Sequence, residues 1–387
     1  MSILYLFPEP LPLQKARGIQ VINTVASLAA QGMHVYLAYV PVQSVPDPFA
    51  AYGLDCPPSV TLVPISRSLP WPLSFLGVHS GRLFFLRLLT WIRRKKSRGE
   101  APRIVMVRHI KLAHWLLEAE LDIPVVYEAH EVFADGASTK KAKRLSLMEK
   151  AVLQRASTII AITEQLAIKL RQRYEVQREI AVIPSATALP AITPSKDWSD
   201  LGHSIVYAGS LYGWKGAQDL VAAAKFLPGC HISVIGGDAK GIDALRASLG
   251  KGGATVEFLG HLPHGRVMEQ LGKACIAVLP NRKGSVSEFT SPLKLFEYMA
   301  AGCAIVVSDL PVFHEVLGQD DAAWFAPGEP EGLTASIRRL LDNPKRTEEM
   351  GQRMQAMAKN YTWDARAKRL ANLFQTLENQ RAPGAVA

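Results

Sequence analysis

Short apolar runs rich in Val and Ile recur along these 387 residues, each separated from the next by a longer segment of helical period. A strand covered on both faces reads as a near-continuous apolar run, and parallel neighbours need a crossover long enough to hold a helix. The alternation therefore demands βαβ units in open parallel sheets, an α/β fold. Strands are expected at 3–7, 35–40, 60–64, 104–107, 125–127, 158–161 and 180–183, and again at 205–208, 231–235, 256–259, 276–279, 304–307 and 323–325. Between the series lies ATALPAITPSKDWSDLGH (186–203), polar and without period, which reads as a linker.

Two series imply two Rossmann-like, doubly wound domains facing an interdomain cleft. The expected boundaries are 1–190 for an N-terminal domain, 191–204 for the linker and 205–360 for a C-terminal domain. Residues 361–387 read as a C-terminal helix, which could pack on either half and so could cross back to the N-terminal domain, and a tail. In 363–378, Ala367, Leu370, Leu373 and Leu377 share a helical face. Open α/β sheets bind ligands beyond the carboxyl ends of their strands, so function is expected in those loops.

Composition narrows the class. Apolar residues are 48% and charged residues 20%, which excludes disordered and low-complexity classes. Cys56, Cys230, Cys275 and Cys303 stand far apart with no CxxC pair, so neither a disulfide framework nor a zinc site is indicated and a reducing, cytoplasmic setting is expected. Pro8 and Pro10 break the first apolar run before it could act as a signal, and the run 68–81 carries Pro70 and Pro72, so no membrane span is expected. The net charge of +10 sits mainly in the first half, where residues 1–200 hold 24 basic and 16 acidic side chains. Such an excess suits phosphorylated substrates, an anionic membrane or nucleic acid.

Absent motifs exclude several chemistries. There is no GxxxxGK[ST], no GxGxxG after the first strand, no HExxH, no GxSxG and no Asp-x-Asp, so P-loop hydrolysis, dinucleotide binding and a paired-carboxylate metal platform lack candidates. What is present is SEFTSPLKLFEYMAAG (287–302). Ser291 suits an N-cap, Pro292 the first helical position and Gly302 the C-terminal stop. Lys294 and Glu297 then share a face one turn inside a helix N-terminus. One reading is a diphosphate at the helix start met by Lys294, with Glu297 accepting from ribose hydroxyls; the other is an ordinary i,i+3 ion pair.

A second run, IVYAGSLYGWKG (205–216), leaves a strand through Gly209, Ser210 and Gly213 and brings Lys215 near the next helix. Lys215 could meet the same phosphates as Lys294, or could be a solvated side chain beside a tight turn.

SPLKLFEYMAAG preceded by GSLYGWKG resembles the retaining glycosyltransferases of family 4 (group 1), which have the GT-B fold, and the likeness covers nearly the whole chain. It implies that Lys215 contacts the donor diphosphate and Glu297 the nucleotide ribose, with Ser291, Thr290 and Glu288 in the same run. Many members carry a glutamate eight positions before the ribose-binding one; here Phe289 stands there and Glu288 is nearest. An arginine common in the Gly-rich loop is replaced by Ser210 and Leu211, and Lys294 supplies that charge. His130 in VVYEAHE matches a histidine near donor sugar and acceptor, and Gly18, with Arg17 as a weaker candidate, resembles the glycine loop after the first strand. Gly236 and Gly260-His261 resemble loops bordering the nucleobase. The interdomain turn usually reading Pro-Asn-Gly-Val-Asp here reads Pro184-Ser185-Ala186-Thr187-Ala188.

The activity implied is metal-independent transfer of a hexose from a UDP- or GDP-sugar, used as substrate, to a hydroxyl of a lipid-linked or saccharide acceptor, with configuration retained and no cofactor, in cell-envelope polysaccharide or glycolipid synthesis. His130, Lys215 and Lys294 are the expected catalytic residues. Residues 81–99 carry seven basic and no acidic side chains on an apolar helix, which reads either as a contact with the inner face of a membrane or as a buried helix ending in a solvated basic cap. Rival readings are an epimerase or inverting transferase of the same fold, a relative that binds nucleotide without turnover, and a nucleic-acid binder. No recognition module supports the last, and no nucleic acid is expected as a partner.

Overall fold

The computed structural model describes residues 1–381 except 14, 43, 70–79, 136–137, 192–195, 202–203, 285–286, 288, 290 and 292, and only the backbone of 139. The chain divides into two compact units, one of Met1–Ile162, Leu166–Pro184 and Trp363–Ala387, the other of Thr163–Gln165 and Ser185–Thr362.

The first unit holds β1 (Ser2–Leu11), β2 (His34–Pro41), β3 (Val60–Pro64), β4 (Ile104–Val107), β5 (Val125–Ala129), β6 (Thr158–Ala161) and β7 (Ile180–Val182). They form one parallel sheet in the order β3-β2-β1-β4-β5-β6-β7. The second unit holds β8 (Ile205–Ala208), β9 (His231–Ile235), β10 (Thr255–Gly260), β11 (Ile276–Leu279), β12 (Ala304–Ser308) and β13 (Ala323–Phe325), parallel in the order β10-β9-β8-β11-β12-β13. Each strand expected from the sequence is found, and the inner strands β4, β5, β8, β11 and β12 are buried along their whole length, as apolar runs covered on both faces must be. Strand order reverses between β1 and β4 in one sheet and between β8 and β11 in the other, and at such a reversal the flanking loops part to leave a crevice.

The helix Trp363–Asn379 belongs to the first unit. Its buried face is Ala367, Leu370, Phe374 and Leu377, packed with Val21, Ile22 and Val25 of the helix Ala16–Ala30. Phe374 takes the place expected for Leu373, which is only half-buried.

The helix Gly81–Ser97 buries Phe84, Phe85, Leu88, Leu89 and Ile92 in its own unit. Its apolar face is thus mostly spent on packing, with Leu86 at 47% the one large apolar side chain it exposes. Trp91 lies edge-on to Tyr36, while Arg93, Arg94, Lys96 and Arg98 are exposed at the C-terminal end. That end is where cations complement the helix macrodipole. No helix among the described residues is long and apolar enough to cross a membrane. All four cysteines are free.

Candidate functional site

In the second unit, the loops after β8 and β11 flank the point where strand order reverses, and the chain stitches them together. Gly216 has φ 72°, and a Cβ there would lie 1.7 Å from the Pro280 carbonyl oxygen, so only glycine lets the loops approach this closely. The Arg282 N–H donates to the Trp214 carbonyl at 2.9 Å. The Arg282 guanidinium grips the buried Asp219 carboxylate with bonds of 2.8 and 2.5 Å. Asp219 and Arg282 are absent from the sequence reading. An acidic residue three positions after a glycine, in the first turn of the helix Ala217–Ala224, was the available signal.

Lys215 closes a single 3-10 turn, Gly213–Lys215, with its ammonium 4.2 Å from the Trp214 ring centroid. Burial pushes its pKa down to about 8, and the positive charge of Lys294 acts in the same sense. The two lysines named from the sequence therefore lie within electrostatic reach of each other. Lys294 rides on the helix Leu293–Ala300; Pro292, the expected first helical position, lies outside the described residues, as do Glu288 and Thr290. Its ammonium sits 2.5 Å from Glu297 Oε2, so the i,i+3 ion pair is formed. Glu297 is buried, and its other oxygen lies 3.9 Å from His264 Nδ1, a neighbour the sequence reading did not name. The Ser291 hydroxyl accepts from the Ser185 N–H at 3.4 Å, and buried Phe289 offers its carbonyl to the Thr163 hydroxyl at 2.9 Å.

The glycines expected near the base also come together. The Gly236 N–H donates to the Gly260 carbonyl at 2.6 Å, and with φ 112° a Cβ on Gly236 would lie 2.1 Å from the Gly209 carbonyl oxygen. Loops after β8, β9 and β10 are thereby layered backbone on backbone. The Ser210 carbonyl is taken by the Tyr207 hydroxyl at 2.7 Å, and His261 stands exposed. Among the described residues no three His, Cys, Asp or Glu side chains converge as a metal group would require.

The first unit holds a second cluster, at the carboxyl ends of β4 and β5. His130 Nε2 lies 3.3 Å from Glu128 Oε2, with the imidazole 13% exposed and the carboxylate fully buried. Glu128 pairs with Arg366 of the C-terminal helix, whose guanidinium also donates to the Ile183 carbonyl at 2.9 Å and the Pro184 carbonyl at 2.6 Å. Burial alone would raise Glu128, but Arg366 and His130 outweigh it and hold the carboxyl well below the usual range. Burial, and then the charge of Arg108, press His130 down to about 4. Arg108 donates to Gln20 at 3.1 Å. A glutamate inside an otherwise apolar strand was the sequence signal for this cluster, since a buried carboxylate requires a cation. Gly18 sits in the first turn of the helix Ala16–Ala30, where a Cβ would lie 2.3 Å from the Leu13 carbonyl oxygen and 2.5 Å from the Tyr52 hydroxyl. Arg17 pairs with Glu9 at 2.6 Å.

Residues 202–343 match the family described as "Glycosyl transferases group 1", and residues 18–188 match "Glycosyltransferase Family 4". The chain belongs to the family 4, group 1 glycosyltransferases. Among curated relatives of this glycosyltransferase is the phosphatidyl-myo-inositol mannosyltransferase of Mycobacterium tuberculosis, 28% identical over 166 residues. That match covers 41% of this chain and 42% of the relative, so it spans less than half of the relative's length. Over whole chains the glycosyltransferase fold superimposes on sucrose-phosphate synthase from Thermosynechococcus elongatus with a TM-score of 0.74 at 18% identity, covering 98% of this chain and 99% of that one. The Anabaena protein HepE in complex with UDP-glucose gives a TM-score of 0.71 at 15% identity, covering 97% and 100%. The fold is GT-B.

Proposed function

We propose that the chain transfers a sugar from a nucleoside diphosphate to an acceptor hydroxyl with the anomeric configuration retained. The observation that carries this reading is the convergence of Lys215 and Lys294 where the second sheet's strand order reverses, with the Glu297 carboxylate beside them. Negative charge develops on the leaving diphosphate as the glycosidic bond breaks. Two ammonium groups held in place before that happens stabilise the transition state more than the ground state.

Lys294 has three N–H donors and spends one on Glu297, so it can hold a phosphate oxygen without releasing its partner. Glu297, acceptor-only when ionised, takes the vicinal hydroxyls of the ribose. The Gly236 and Gly260 loops border the base through main-chain groups, with Ser291, Thr290 and Glu288 in the run beside the diphosphate. His130, in the first unit, meets a substrate hydroxyl. The departing phosphate oxygen takes the acceptor's proton on the face where the new bond forms, and the charge stabilisation comes from the lysines without a metal ion.

HepE in its UDP-glucose complex supports a nucleotide-sugar donor, and the relatives named for mannosyl transfer to phosphatidyl-myo-inositol support a lipid-linked or saccharide acceptor in cell-envelope synthesis. The exposed Arg93, Arg94, Lys96 and Arg98 would draw the protein to the anionic inner face of a membrane by charge.

The test is a thermal-shift screen of UDP-glucose, GDP-mannose, UDP, GDP and a short RNA. A ligand that binds only the native state raises Tm by mass action. Stabilisation by a nucleoside diphosphate that is lost in Lys215→Ala and Lys294→Ala supports the proposal; stabilisation by RNA alone overturns it.

A further inference from the structure

Glu128 lies in β5, an inner strand of the first sheet, and its side chain has no exposure. A carboxylate so placed stays ionised only with a counter-charge and hydrogen bonds. Arg366 supplies both. Its planar guanidinium is pinned to the Ile183 and Pro184 carbonyls as well as to Glu128 Oε1, which fixes the fork in one orientation. Glu128 Oε2 is left over, and it lies 3.3 Å from His130 Nε2; neither atom has a hydrogen-bond partner, so the approach between them is electrostatic.

We propose that Arg366 is a positioning residue for His130: acting through Glu128, it keeps the imidazole proton on Nε2 and leaves Nδ1 bare to accept a hydrogen bond from a substrate hydroxyl. This rests on the reading of His130 as a residue that meets substrate. A lone pair on Nε2 would face the carboxylate and be repelled, whereas Nε2–H is attracted, so the fixed carboxylate selects the tautomer. Arg108 approaches His130 as well, and its charge opposes imidazolium formation. A neutral imidazole with one defined acceptor nitrogen can orient a hydroxyl without removing its proton. A buried ion pair is seldom a better stabiliser than apolar packing of the same volume, so its place behind a strand-end histidine needs a reason beyond stability.

The experiment is NMR of the full chain labelled with 15N-histidine, with the His130 signal assigned by its loss in His130→Asn. In the wild type at neutral pH the Nε2–H neutral pattern is expected. In Glu128→Gln, Arg366 still requires an oxygen acceptor, so the amide NH2 turns toward Nε2 and the His130 proton should move to Nδ1. Turnover of whichever of UDP-glucose and GDP-mannose is hydrolysed should then fall on the order of 10- to 100-fold in kcat, with a smaller change in donor KM. Arg366→Lys keeps the charge but not the fork and should recover part of that loss relative to Arg366→Met. A wild-type His130 carrying its proton on Nδ1, or an unaltered His130 pattern in Glu128→Gln, overturns the proposal. The tautomer reading needs no turnover: absence of activity with every donor would count against the transferase reading while leaving the spectroscopic result to decide this one.

Discussion

The Tyr298 hydroxyl bonds both backbone groups of Ala208, accepting from its N–H at 2.7 Å and donating to its carbonyl at 3.2 Å. Ala208 is the last residue of β8, where the Lys215 loop departs, and Tyr298 sits on the helix that carries Lys294 and Glu297. One buried side chain thus ties together the supports of both lysines. Tyr298→Phe leaves two buried groups of Ala208 without this partner and should cost about 1–3 kcal/mol of stability, read as a lower urea midpoint. UDP affinity should fall too, although Tyr298 is fully buried and cannot itself meet the ligand.

Removing either ammonium should reduce kcat/KM for the donor by an amount equivalent to about 2–4 kcal/mol. An unchanged kcat and KM in Lys294→Ala would refute its assignment. Glu297→Ala separates the two halves of the donor: uridine binding should weaken in calorimetry, whereas pyrophosphate binding should not, because Lys294 loses the partner 2.5 Å away that competes for its charge.

Lys215 gives the site a pH dependence whose sign is fixed. Its pKa is depressed to about 8, so the free protein loses this cation as pH rises through that value. A bound diphosphate restores the charge. UDP binding should therefore weaken above pH 8 and be accompanied by proton uptake, seen as a buffer-dependent heat in calorimetry. Lys215→Met should abolish the uptake.

Acid stability should report His130. Its native pKa of about 4 lies below the ordinary 6.5, so between those values the unfolded chain binds the proton and stability falls as pH falls. Depressed Glu128 continues the loss at lower pH. Glu149, raised to about 6 by burial, acts in the opposite sense below that pH, because the native state protonates first. Tm measured from pH 7 to 4.5 should drop more in the wild type than in His130→Asn, where Glu149 is unchanged.

Co-sedimentation with vesicles containing anionic lipid should be weak, salt-sensitive and lost when Arg93, Arg94 and Lys96 are changed to Gln, at roughly 1 kcal/mol per charge. Lys95, paired with Glu100 at 2.6 Å, should contribute less. Binding that ignores those charges would require apolar insertion, for which this helix exposes Leu86 alone among its large apolar side chains.

The strands were legible because a doubly covered parallel strand leaves nothing but apolar residues to read, as in IVMV of β4 and IAVL of β11. Lys294 and Glu297 were legible because they lie one helical turn apart in a single run. The Arg366–Glu128 pair was not, since its members stand 238 residues apart and an arginine in a C-terminal amphipathic helix looks like solvated charge. Asp219 and Arg282 were missed for the same reason: each is ordinary locally, and their separation of 63 positions hides the clamp. Phe374 was passed over for Leu373 because period alone does not say which of two adjacent apolar residues faces inward.

The helix Trp363–Asn379 completes a unit whose seven strands are all encoded before residue 184. On the ribosome, the groove along Val21, Ile22 and Val25 is therefore made well before the helix that covers it, and stays open until residues 363–379 emerge. A stop codon just before Trp363 would therefore strip a covering helix from the unit that holds β1 to β7, and leave every residue of the other unit in place.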